Sequence, residues 1–195
     1  MAPPRLVAVL GSVTPPGRLR LALEQALARA QERALLAPRL LDLAEVKISF
    51  ADGRAPQDLD DDTASAIELL RQADAVLLAT PVYRGSLTGA LKNLLDHVPV
   101  QALRQKPTAI VAMGASTHHF LGAERHLRDV LAFFGAALTP TAAYLSSSDF
   151  LDGQPTDGAA VQLDELIAGL AAMASALARE PDIALGPAPL AARHA

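Results

Sequence analysis

Apolar and polar positions fall into blocks of two lengths along this chain. Short apolar runs occupy residues 6–10, 38–43, 74–79 and 108–113, with another inside 137–145. Runs of this kind, with little polar alternation, predict strands covered on both faces, as in a parallel sheet. Between them lie longer segments whose leucines and alanines recur at helical spacing, at 18–33, 60–71, 88–97, 120–134 and 159–178. Strand and helix therefore alternate, which predicts an α/β fold with a parallel sheet wrapped in helices.

Two segments depart from this rhythm. Residues 45–60, with Gly53, Pro56 and several aspartates, read as a surface loop. Asp60, Asp61 and Asp62 then make an acidic start that suits the positive end of the next helix. As a metal site the same cluster lacks a histidine at ligand spacing. From Pro181 onward, Pro187, Pro189 and repeated alanines leave little to bury. Residues 181–195 are expected to be extended or partly disordered, and residues 1–180 to form one domain.

Composition narrows the function. A chain of 195 residues with 51% hydrophobic content is long enough to bury about 70% of its unfolded surface in a single core. A net charge of -4, with no stripe of basic and aromatic residues, argues against nucleic acid as the partner. No uninterrupted apolar run reaches membrane-spanning length and no signal-like segment opens the chain, so a cytoplasmic protein without membrane contact is expected. Cysteine is absent. That excludes disulfides and thiolate chemistry, and any redox reaction must come from a bound group.

Five strands in this order suit the arrangement 2-1-3-4-5, whose switch point lies between the first and third strands. The loops after those strands then converge on one ligand. The first, from Gly11 to Arg18, carries neither the dinucleotide fingerprint nor the P-loop pattern. It offers the hydroxyls of Ser12 and Thr14 beside a helix start that favours a phosphate, with Arg18 and Arg20 adding charge. The alternative is an ordinary solvated first turn. In the third loop, Pro81 fixes one backbone angle and Gly85 permits a turn, while Val82, Tyr83, Arg84 and Ser86 supply further ligand-facing groups. Gly114, Ala115 and Ser116 leave the fourth strand at the same end and close the opposite side. His118 and His119 follow, but adjacent histidines diverge and make poor chelators; no metal site is expected.

Thr80, Pro81, Tyr83, Leu91, Lys92, Asn93, Leu95 and Asp96 together resemble the signature of the NAD(P)H-dependent FMN reductases. The resemblance covers about residues 5–145. It implies a flavodoxin-like three-layer sandwich with a five-stranded parallel sheet, and FMN with its ring on the 81–86 loop and its phosphate at the first loop. There Ser12 and Arg18 match the family, whereas Gly17, Leu19 and Leu21 stand where relatives carry small hydroxyl residues. Phosphate binding would then rest more on backbone N–H groups and the arginines, with modest affinity. The implied reaction is hydride transfer from NADH or NADPH to FMN, without a side chain acting as acid or base. Reduced flavin would leave for a partner monooxygenase. The alternatives are an FMN-retaining quinone or azo-compound reductase, a flavodoxin-type electron carrier, and a flavin-free regulatory protein.

Residues 117–131 resemble more narrowly the reductases of two-component alkanesulfonate, methanesulfonate and dimethyl sulfone monooxygenase systems, which points to organosulfur assimilation. Some of these carry an inserted residue that makes a π-bulge at a tetramer interface; Arg125 or His126 is the candidate here, with a plain polar helix face as the alternative. A homodimer or homotetramer is expected, with the apolar face of the 88–97 helix and Leu131, Phe133 and Phe134 buried against other subunits.

Overall fold

Strands β1 (Arg5–Leu10), β2 (Ala37–Asp42), β3 (Ala75–Pro81), β4 (Pro107–Met113), β5 (Ala137–Leu138) and β6 (Ala143–Leu145) form one parallel sheet. The structure, a computed structural model, describes residues 2–180 and 182–190. Strand order is β2-β1-β3-β4-β5, with β6 beside β4 on the same edge as β5. Helices α1 (Arg18–Glu32), α2 (Thr63–Gln72), α3 (Gly89–His97), α4 (Val100–Leu103), α5 (Phe120–Phe134) and α6 (Asp157–Arg179) cover both faces. This is the flavodoxin-like sandwich the sequence predicts.

Side chains along a strand alternate between faces, and here each face meets helices. Leu6, Ala8, Leu10, Leu77 and Val111 pack with the α1 and α6 side, while Val7, Val9, Val76, Leu78 and Ile110 pack with α2, α3 and α5. In β1, β3 and β4 nearly every residue is buried on either face, so polar alternation has no place there, whereas the edge strand β2 exposes Ala37 and Arg39. Each fully buried leucine contributes about 1.5–3 kcal/mol.

The expected single fifth strand is split. Between the pairs Thr108↔Leu138 and Val111↔Ala143, Ala109 and Ile110 of β4 face four residues, Thr139–Ala142, on the edge. Pro140 within this bulge has no N–H to give to a ladder. Arg128 of α5 donates instead to the carbonyls of Thr139 and Pro140, at 3.2 and 3.0 Å. Beyond β6 the chain adds a hairpin of β7 (Phe150–Leu151) and β8 (Gln154–Pro155), turning through Asp152 and Gly153 at φ of 49° and 79°. The hydrophobic pattern does not announce so short a pair.

The 45–60 loop is stapled rather than loose. Asp61 accepts the N–H groups of Ser49 and Thr63 at 2.7 and 2.8 Å, and Asp62 accepts that of Lys47 at 2.8 Å. The donors at Ser49 and Thr63 hold the Asp61 carboxyl well below its ordinary range. Helix α6 is long and apolar enough to cross a membrane by length and composition. In this fold Leu163, Ile167 and Leu170 are buried in the core, and Asp164 pairs with Arg29 of α1 at 2.8 Å. The described part of the final segment is anchored: Leu185 N–H donates to Gln105 Oε1 at 2.7 Å, and Pro189 lies against Gly135. Pro181 and residues 191–195 lie outside the described residues.

Candidate active site

At the carboxyl end of β1, β3 and β4 the loops enclose a cleft of about 150 Å³, lined by Ser12, Thr14, Gly17, Arg18, Pro81, Tyr83 and Met113 among others. One end suits an anion. Gly17 precedes α1 without a side-chain cap, and the first turn carries no acidic residue. The first N–H groups of a helix have no intrahelical acceptor and, with its dipole, favour negative charge. Ser12 Oγ and Thr14 Oγ1 lie 2.7 Å apart beside it. Arg18 stands at the mouth with its guanidinium over the Phe150 ring, 5.1 Å from the centroid, and Nη2 donating to Ser147 Oγ at 3.3 Å. Ser147 and Phe150 have no signal in the sequence, because only the folded edge brings them to Arg18.

Arg20 also lines the cleft, with carboxylates around it. Its Nη1 donates to Asp42 at 2.8 Å and Glu45 at 2.6 Å, and its Nε to Glu24 at 2.8 Å. Three carboxylates partner the guanidinium, so the arginine also fastens α1 to the end of β2, and its charge in the cleft is largely compensated. Sequence spacing placed both arginines in the first turn; the helical step sends them to different neighbours.

The other end of the cleft is a two-residue turn. Tyr83 and Ser86 exchange both backbone hydrogen bonds, at 2.9 and 3.1 Å, while Arg84 and Gly85 sit at φ of 53° and 78°. This pattern is a type I′ turn. For Arg84 the left-handed conformation costs about 1–2 kcal/mol. Val82 N–H donates to the Met113 carbonyl at 2.7 Å, prolonging the β3–β4 ladder. The expectation that the remaining backbone groups of this loop face a ligand is therefore narrowed. Val82, Tyr83 and Ser86 spend their N–H groups within the protein, and those of Arg84 and Gly85 remain at the tip. Tyr83, 49% exposed, lines the cleft.

Two buried threonines mount this turn on the sheet. Thr80 Oγ1 donates to the Pro81 carbonyl at 2.9 Å and accepts Thr88 N–H at 3.1 Å. Thr88 Oγ1 caps α3 by accepting Leu91 N–H at 3.1 Å and donates to the Gly11 carbonyl at 2.5 Å. Gly11 permits the approach: a Cβ there would lie 2.7 Å from Leu91 Cβ. The rest of the signature is support. Leu91 and Leu95 are core, Lys92 pairs with Asp96, and Asn93 holds Ser49 and Ala51 at 2.9 and 3.0 Å.

Gly114, Ala115 and Ser116 follow β4 at the same end, with Gly114 N–H donating to the Leu145 carbonyl at 2.9 Å. His118 and His119 are exposed in a 3₁₀ turn before α5. Helix α5 is α-helical from Phe120 to Phe134, so neither Arg125 nor His126 makes a π-bulge. His126 instead places Nδ1 2.8 Å from Ser86 Oγ, and a Cβ on Gly122 would meet the Gly85 carbonyl oxygen at 2.5 Å. The expected intersubunit role of the apolar helix faces is also corrected. Leu91, Leu94, Leu95, Leu131 and Phe134 are buried in this chain's own core, because α3 and α5 lie flat on the sheet; Phe133 remains 58% exposed.

The cleft lining contains no carboxylate, histidine or cysteine. Such a site binds and orients, and leaves bond-making to what it holds. A doubly wound sheet with its cleft at this switch point defines a flavodoxin-like protein. The profile of the NADPH-dependent FMN reductases matches residues 4–150. An NAD(P)H-dependent FAD/FMN reductase of Geobacillus thermodenitrificans is 40% identical over 112 residues, 57% of this chain and 60% of that relative. The NADH-dependent FMN reductase SfnF of Pseudomonas putida is 36% identical over 151 residues, 75% of this chain and 79% of that protein. The solved apo form of an NADH:FMN oxidoreductase, EMOB, superposes with a TM-score of 0.74 at 28% identity, covering 87% of this chain and 89% of that one. The chain belongs to the NADPH-dependent FMN reductase family and is an NAD(P)H:FMN oxidoreductase.

Proposed function

We propose that this enzyme reduces FMN with NADH or NADPH and releases the reduced flavin to a partner monooxygenase, in organosulfur assimilation in the cytoplasm. The cleft carries the reading: an uncapped helix start with a hydroxyl pair and Arg18 at one end, and a fixed turn bearing Tyr83 at the other. Those groups suit a phosphate and a flat ring respectively. In this reading Ser12, Thr14 and Arg18 hold the FMN phosphate. Pro81, Tyr83, Arg84, Gly85 and the turn at Gly114, Ala115 and Ser116 border the ring, and Ser86 acts through the turn it closes.

When bound, FMN supplies the hydride-accepting ring, and the chain's residues determine where that ring lies. The threonine mount ties the turn to β3 and to the loop after β1, so the groups that would border a bound ring are held in place before it arrives. Pre-organisation of this kind is the protein's contribution to such reactions. An open cleft and the diversion of Arg20 to carboxylates support modest FMN affinity, which suits release of the product. The similarity to SfnF, an NADH-dependent FMN reductase, supports the FMN-reducing step, and the resemblance of residues 117–131 supports the monooxygenase partner. A homodimer or homotetramer remains part of the proposal, supported by the exposed Phe50 and Phe133.

The test is transfer across a dialysis membrane. Enzyme, reduced nicotinamide and FMN are kept on one side and a flavin-dependent monooxygenase on the other, under low oxygen. Product formation on the far side is expected. Turnover with FMN retained on the protein and no far-side product would replace this reading with an FMN-retaining quinone reductase.

A further inference from the structure

The turn after β4 is held at both ends by two consecutive residues of the edge strand. Leu145 of β6 accepts Gly114 N–H through its carbonyl at 2.9 Å. Tyr144, its neighbour, donates its phenol hydroxyl to the Ser116 carbonyl at 2.6 Å. Tyr144 is itself anchored, because its N–H donates to Gln162 Oε1 of α6 at 2.7 Å. The side chain thus reaches from a strand tied to α6 into the concave side of the Gly114–Ala115–Ser116 turn. A phenol is a protonated donor at neutral pH, and burial pushes this one further up from its ordinary value.

Gly114 is shaped to this hydroxyl. A Cβ at Gly114 would lie 2.1 Å from Tyr144 Oη and 3.2 Å from the ring carbon that bears it. No L side chain fits beside the hydroxyl without moving the turn or the ring. The bulge at Thr139–Ala142 sets the register that makes this possible, since it starts β6 at Ala143, opposite Val111, and puts Tyr144 opposite Ala112, two residues before Gly114. The turn also adjoins the ring-side loop, because Met113 receives the Val82 N–H.

We propose that Tyr144 is a positioning residue of the flavin site, acting through Ser116 and matched to Gly114. It sets the conformation of the turn that follows Met113, which lines the cleft, and that borders the ring in the FMN-site reading. The inference rests on the FMN-site reading above. Tyr144 touches no reacting atom; it fixes the direction of the Ala115 and Ser116 backbone groups.

The experiment compares the full chain with Tyr144→Phe, Gly114→Ala and the double variant. FMN dissociation constants come from flavin fluorescence, steady-state constants from NADH oxidation with varied FMN, and backbone hydrogen exchange is followed at Ala115 and Ser116. Tyr144→Phe keeps the ring and removes one hydrogen bond, worth about 0.5–1.5 kcal/mol, so Kd and KM for FMN should rise about 2- to 12-fold. kcat at saturating FMN should hold, and hydrogen exchange at the turn should accelerate. Gly114→Ala should weaken FMN binding more, and the added loss should shrink in the Tyr144→Phe background, where the nearest obstacle is the ring carbon. Failure of the unsubstituted protein to bind FMN would overturn the functional reading and this inference together. Normal FMN binding by the unsubstituted protein, with Tyr144→Phe unchanged in Kd and in exchange, would overturn the inference alone. If Gly114→Ala does not fold, the Tyr144→Phe measurements decide.

Discussion

The hydroxyl of Thr88 donates to the carbonyl of Gly11 at 2.5 Å while accepting the N–H of Leu91 at 3.1 Å. One buried side chain thereby caps α3 and joins the loop after β1 to the loop after β3. These loops carry the two ends of the cleft, so their spacing depends on this atom.

Thr88→Val is expected to destabilise the protein by about 1–3 kcal/mol, from the lost cap and the unpaired Gly11 carbonyl. FMN affinity should fall with it. Thr88→Ser, which keeps the hydroxyl, should recover most of both. Chemical denaturation and flavin fluorescence measure the two effects, and a Val variant of unchanged stability would contradict the role.

Arg18 and Arg20 should separate cleanly. Arg18→Ala is expected to weaken FMN far more than riboflavin, since a charge-assisted contact needs the phosphate. Arg20→Ala should leave that discrimination intact and cost about 1–3 kcal/mol of stability, because Asp42, 3% exposed at its side chain, loses its cation. Titrations with both flavins, paired with melts, distinguish the outcomes; equal losses of FMN and riboflavin in Arg18→Ala would remove it from the phosphate site.

At Gly122 an exchange to Ala would ordinarily stabilise a helix interior by about 0.5–1 kcal/mol. Here the new Cβ would press on the Gly85 carbonyl at 2.5 Å. Gly122→Ala should therefore weaken FMN binding without the usual gain in stability. A variant with raised melting temperature and wild-type FMN affinity would show that α5 does not support the turn.

Lys106 makes stability depend on alkaline pH. Its Nζ donates to the carbonyls of Leu70 and Arg71 at 2.5 and 3.0 Å, at the end of α2. Burial lowers its pKa to about 8 from 10.5, with Asp74 opposing and Arg5 and Arg71 adding to the shift. Between those values the unfolded chain binds more protons than the folded one, so stability rises with pH across that window and is lost as pH falls toward 8. Lys106→Met should flatten this rise, as read from denaturation midpoints between pH 7.5 and 10.5.

Much of the architecture is legible in residue order because its causes are local. The short apolar runs at β1, β3 and β4, with their flanking turn residues, read as strands buried on both faces and are so, and the helical spacing at α5 recovers Phe120–Phe134 as found. The Thr80–Asp96 signature likewise marks a loop whose Pro81 and Tyr83 line the cleft. What each of its residues does is a different matter: Leu91, Asn93 and Thr88 work by contacts with Gly11, Ser49 and Ala51, far away in sequence.

Strand and helix alternation is written in the residue order, since periodicity and turn chemistry act over a few residues; the sheet order follows only through the likeness to a known arrangement, because strand pairing joins distant segments. Packing alone set the different partners of Arg18 and Arg20, the break of the edge strand around Pro140, and the meeting of Tyr144 with Ser116. Each of these depends on a partner brought close by packing, and a guanidinium, a carbonyl or a phenol carries no mark in sequence of the group it will face. Arg18 and Arg20 show the limit: two residues apart, of one type and in one helical turn, they are separated by the direction in which the helix points each side chain.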